Sequence, residues 1–155
     1  TMSIRKSLFE RAATFAGRPR ERMTAIGVAD MLFFTAYHEH FRMEQICKVE
    51  AVWDKATEDR RMEVILAEDG CFNAIMGIIR DAIAQGDLCL DSAAALPPEG
   101  IMFGLWSMAW GGRSLMTLGL ADRKLNLEDA EGVLARNFQL YLDGSNWQPR
   151  SSEWD

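Results

Sequence analysis

The chain has 155 residues, a net charge of −6, 48% apolar and 26% charged residues. This length suits one domain with a sizeable core, and the composition is that of a globular chain, not a disordered or fibrous one. The acidic balance excludes nucleic-acid binding by the surface as a whole.

The charge is uneven. Residues 1–22 hold Arg5, Lys6, Arg11, Arg18, Arg20 and Arg22 against Glu10 and Glu21, a balance of +4 that leaves −10 for the rest. This end is either a solvated basic helix or lies near something acidic. Three cysteines without a repeated short spacing fit a reducing, cytoplasmic setting better than a disulfide scaffold. "TMSIRKSLFERAATF" is amphipathic and has no apolar block after a basic tip. The threonine ahead of Met2 suggests either a scar left by expression or a fragment of a longer protein.

In chain order, Ser3 can cap a first helix that runs to about Ala16 and stops at Gly17. Pro19 suits the first turn of a second helix, reaching about His40, with Met23, Ile26, Phe33, Phe34, Tyr37 and Phe41 at helical spacing. A third covers roughly 42–56. Thr57 can cap a fourth, whose expected buried face is Ile65, Phe72, Ile75, Met76, Ile79 and Ile83, ending at Gly86. Residues 87–96 read as a loop. Pro97 and Pro98 open a fifth helix, and Asn126 can cap a sixth, with Leu127, Ala130, Leu134, Phe138 and Tyr141 as its stripe. The expected domain spans 1–145, and 146–155 is expected to be a frayed tail. No run alternates as a strand would, so the fold class is all-α, a bundle of about six helices.

The segment "IMFGLWSMAWGGRSLMTLGL", residues 101–120, is long enough to span a bilayer. Arg113 near its middle and the lack of basic flanks argue against that, and no membrane contact is expected. On a helical wheel, Gly104, Met108, Gly111, Leu115 and Leu118 share one side. Met102, Trp106, Ala109, Arg113 and Met116 share the other, with Trp110 at its margin. The first side is small, so another helix can come close. The second is bulky and soft.

Asp30 and Arg113 are lone charges on apolar stripes, and a buried charge needs a partner. Either Asp30 pairs with Arg113 or with a nearby polar group, or one or both charges stand on the wall of an apolar ligand pocket. His38 and His40 diverge on a helix and cannot share a metal from one face. No Glu-x-x-His, CxxC, HExxH, Gly-x-Ser-x-Gly or phosphate loop is present. No catalytic residue, metal or cofactor is therefore assigned. Nine Met, eight Phe and five Trp supply soft apolar surface. Phe72, Met76, Met102 and Trp106 are either core or pocket lining.

The order of "RKSLFERAATF", "PRERM", "IIRDAIAQGDL", "LPPEGIMFGLWSMAWGG" and "NFQLYL" resembles the C-terminal, ligand-binding and dimerisation region of TetR-type transcriptional regulators. The resemblance implies a homodimer formed through the last two long helices, with a cavity among the preceding ones. Gly104, Met108, Gly111, Leu115, Leu134, Phe138 and Tyr141 would then face the partner subunit. Phe34, Tyr37, His38, Phe72, Met76, Trp106 and Trp110 would lie near the cavity. It also implies a DNA-binding helix-turn-helix head, which these residues lack, so the chain alone is expected not to bind an operator. Many relatives carry Trp-x-x-x-His-Gly; here Trp110 replaces the histidine, which favours an apolar or aromatic guest. A small helical-bundle enzyme using His38 with Asp30 or Glu39, and a plain dimerisation module, are the alternatives.

Overall fold

Helical periodicity carries through to the backbone. The computed structural model describes residues 2–90 and 95–154. Among them run α1 (Met2–Ala13), α2 (Pro19–Ala36), α3 (His38–Cys47), α4 (Glu50–Trp53), α5 (Glu58–Ala84), α6 (Pro98–Thr117), α7 (Leu120–Leu125) and α8 (Ala130–Gly144), then a 3₁₀ turn, Ser151–Glu153. The described residues contain no strand, only an isolated bridge between Leu88 and Trp147. None of these helices is long and apolar enough to cross a membrane. Part of the loop expected over 87–96, residues 91–94, lies outside the described residues.

Among the described residues eight helices replace the six expected: the boundary expected near residue 41 moves back to Tyr37, the third expected helix breaks after Cys47 and continues as α4, and the fifth breaks after Thr117. The second helix stops at Ala36, since Tyr37 leaves helical geometry (φ −126°, ψ 42°). The redirected α3 keeps Phe41 buried, edge-on to Phe34 at 5.2 Å between ring centres. The stretch after Thr117 turns at Gly119 and re-forms as α7. Asn126 closes α7 in a left-handed conformation instead of capping the last helix. Asp129 performs that capping, accepting from the backbone N–H of Gly132 at 2.8 Å. Thr57 does cap α5, accepting from Arg60 N–H at 3.4 Å.

The chain divides into two compact units. The first comprises Thr1–Gly17 and Glu21–Gly77, the second Arg18–Arg20 and Ile78–Asp155. In the first, Phe9, Met23, Ile26, Phe33, Phe34, Phe41, Cys71, Ile75 and Met76 are buried. On α5 the expected Ile75, Met76 and Ile79 are buried together with Ala67, Cys71, Ile78 and Ala82, while the expected Ile65, Phe72 and Ile83 are exposed. The buried stripe thus overlaps the expected face without matching it.

In the second unit α6 and α8 pack antiparallel. A Cβ at Gly104 would collide with the Tyr141 hydroxyl, and one at Gly112 would stand 2.9 Å from Leu134. Of the small side expected on the wheel, Gly104 meets α8 of the same chain, but the second close approach is at Gly112, while Gly111 has nothing within 4 Å and Leu115 and Leu118 are exposed. The Tyr141 hydroxyl lies 3.3 Å from the carbonyls of Gly100 and Ile101, to which it can donate.

The expected frayed tail is folded. Trp147 is fully buried, and its carbonyl accepts from Arg20 Nη1 at 2.6 Å. Arg20, itself fully buried, also donates to Gln139 and to Ser151 Oγ (3.0 Å), and pairs with Asp143 at 2.7 Å. Asp143 in turn accepts from the backbone and hydroxyl of Ser151 at 2.9 and 2.5 Å. One cation near the start of the unit therefore organises its last turn. Arg20→Met leaves a carboxylate and several carbonyls without their donor. It costs about 3–5 kcal/mol in urea unfolding, and hydrogen exchange of residues 146–154 accelerates even under native conditions.

Candidate functional site

The first unit holds a buried charge cluster built from three helices. Arg5 follows the spacing of Phe9 and Ala12 on α1, so its stem enters the apolar face. Its guanidinium donates from Nη2 and Nε to Asp30 Oδ1 at 3.0 and 3.3 Å, and from Nη1 to Glu44 Oε2 at 2.6 Å. It also lies over the Phe33 ring, 4.9 Å from its centre. The acidic neighbourhood that the basic first helix suggests is thus in the chain itself.

Two carboxylates share this one guanidinium. Glu44 is 4% exposed, and its second oxygen, Oε1, has no hydrogen-bond partner among the described residues. Burial pushes the Glu44 carboxyl above its ordinary value, against the pull of Arg5 and Lys48; Asp30 and Glu68 add to the rise. Burial likewise raises the Cys71 thiol to about 11, which leaves it an inert packing group at neutral pH.

Glu44 also forms part of the wall of a groove of about 740 Å³, lined by residues of α1, α3, α4 and α5 and the turns beside them. This volume is in the range of small-molecule sites. Met43, Val52, Trp53, Val64 and Leu66 make it largely apolar, with Lys6, Lys48, Arg60 and Glu63 as its other charged residues. Each of these cations has a carboxylate beside it: Lys6 has Glu10 at 3.5 Å, Arg60 has Glu63 at 2.8 Å, and Lys48 has Glu68.

None of the ten residues expected to bind ligand lines this groove. Asp30 stands behind it, on Arg5. The Asp30–Arg113 pair joins residues of different units; within its own unit Asp30 takes Arg5 as partner. Phe34 is buried edge-on to His38 at 5.4 Å, Tyr37 stacks on Phe33 at 6.0 Å, and His40 meets Tyr37. Met76, Met102 and Arg113 are buried, Phe72 and Trp106 are exposed, and Trp110 is half-buried. Among the residues expected at a subunit interface, Gly104, Leu134 and Tyr141 lie on the α6–α8 seam. Met108, Gly111 and Phe138 are half-buried, and Leu115 is exposed. Arg5 and Glu44 carry no mark of function in the sequence except spacing: Arg5 precedes Phe9 by four residues, and Glu44 follows Phe41 by three.

Compared with protein-family models, curated proteins and solved structures, the chain matches none.

Two consequences follow for stability. Arg5→Met strips both buried carboxylates of their cation and costs about 3–5 kcal/mol in denaturant unfolding. Glu44→Gln acts in the other direction. A carboxyl whose folded pKa is raised contributes its full stability below the unfolded value, near 4.5, and loses it as pH rises through the folded value. The glutamine variant is therefore more stable than the parent at neutral pH, and the gain disappears on titration into acid.

Proposed function

We propose that this chain is the effector-binding and dimerisation domain of a TetR-type transcriptional regulator. In this reading a small, largely apolar or aromatic guest binds among the helices. The guest favours one helix arrangement over another, and that difference in affinity shifts the population. No chemistry on the guest is required. Operator contact belongs to a head joined before α1.

The observation that carries the dimer part is the outer surface of the α6–α8 pair. Its inner seam is closed by Gly104, Gly112, Leu134 and Tyr141. Outside it, Phe103 is 68% exposed, Leu118 and Leu140 each 61%, and Trp106 and Val133 are exposed as well. Such apolar exposure on two neighbouring helices is what a partner subunit covers, and a two-fold axis makes one surface serve both partners. The interface is accordingly assigned to the outward residues Phe103, Leu118, Val133 and Leu140, next to Leu115. The groove in the first unit, with α1 as one wall, supports the effector part.

Native mass spectrometry of the purified chain tests the reading. The expected spectrum shows a dimer at micromolar concentration, converted to monomer by Phe103→Glu combined with Leu140→Glu. Circular dichroism should retain the helical signal of the parent. A parent chain that is monomeric at that concentration refutes the dimer assignment.

A further inference from the structure

We propose that the groove walled by α1, α3, α4 and α5 binds a small amphipathic amine in its protonated form, the ammonium donating to Glu44 Oε1 and the apolar body lying against Trp53 and Leu66. This deepens the effector reading and rests on it for its biological sense.

The case starts from unmatched charge. Arg5 satisfies Asp30 and one oxygen of Glu44, and Oε1 is left buried without a hydrogen bond among the described residues. The groove's other cations have carboxylates of their own beside them, Lys6 with Glu10, Lys48 with Glu68 and Arg60 with Glu63; Lys48 also pulls on Glu44 but makes no hydrogen bond to Oε1. Taken with the partners behind the wall, Arg5, Lys6, Lys48 and Arg60 stand against Asp30, Glu10, Glu44, Glu63 and Glu68, four cations to five carboxylates, and the oxygen left without a donor is the buried Oε1 of Glu44. An anionic guest would add to that excess. A neutral apolar guest would leave Oε1 as it is. A protonated amine supplies both the missing charge and the missing N–H donor, and a charge-assisted hydrogen bond in a dry site is the strong kind. Burial raises the Glu44 carboxyl, and Asp30 and Glu68 add to the rise, against the pull of Arg5 and Lys48. Oε1 is enclosed, so the ammonium must displace a side chain to reach it. Met43, adjacent in sequence, unbranched and 52% exposed, is the adaptable neighbour on the groove. Trp53 offers the flat face that an aryl or alkyl body and a nearby cation both favour.

The test is calorimetric titration of the intact chain with three matched probes: phenylbutylamine, phenylbutanol and phenylbutyrate. The amine is expected to bind at least roughly tenfold more tightly than the alcohol, and the acid most weakly. Glu44→Gln abolishes the preference for the amine and leaves the alcohol unchanged. A second measurement does not depend on that variant folding. In the parent chain the amine's advantage shrinks as Glu44 becomes protonated in acid, while phenylbutylamine itself stays charged. Equal binding of amine and alcohol, an undiminished preference in Glu44→Gln, or an advantage independent of pH overturns the proposal. The dimer assay separates the two readings. A dimer without amine preference removes this assignment alone, and a monomer with the preference supports it while refuting the dimer.

Discussion

A single guanidinium governs the first unit. Arg5 reaches from α1 to Asp30 on α2 and Glu44 on α3, with the Phe33 ring beneath it. Burying any one of these charges alone would be costly, and it is Arg5 that makes the two carboxylates tolerable. The cluster therefore fixes the placement of α1 more strictly than the apolar contacts of Phe9 and Ala12 could. It also sets the polarity of the groove beside it. Two carboxylates for one cation is an unbalanced set, and the imbalance falls on Glu44, the member that forms part of the groove wall.

That arrangement gives α1 a role beyond packing. The same carboxylate touches the groove and holds the first helix through Arg5. A guest that changes the charge or position of Glu44 must change the strength of its bond to Arg5. In the regulator proposed above, α1 would be the helix nearest the DNA-binding head, and the cluster would link it to occupancy of the groove. The second unit is held differently. Its glycines let α6 and α8 approach closely, its tail is tied down by Arg20, and Phe103, Leu118 and Leu140 are exposed.

The helical class was legible because helix-period apolar residues and the stop signals Gly17, Gly86 and Pro97 agree along the chain. Asp30 was legible as a buried charge, because it interrupts an otherwise apolar stripe. Helix ends were less so. Tyr37 breaks α2 for the sake of ring packing that no local rule announces, and Asn126 and Asp129 are both good capping residues, only one of which caps α8. The face of α5 was only partly legible, because periodicity weighs Ile65 and Phe72 above the small Ala67 and Cys71 that close packing favours. The buried arginines were missed for a different reason. Composition assigns charge to the surface, and Arg5, Arg20 and Glu44 are buried only because partners distant in sequence receive them. Trp147 was lost in the same way, since its shelter depends on Arg20, more than a hundred residues earlier.

The central claim is that α1 senses the groove through Arg5 and Glu44. Amide hydrogen exchange along α1, compared with and without saturating phenylbutylamine, tests it most directly. The account predicts a change in protection over residues 5–13 that is absent in the Glu44→Gln chain. Identical exchange of α1 in the free and saturated protein would contradict it.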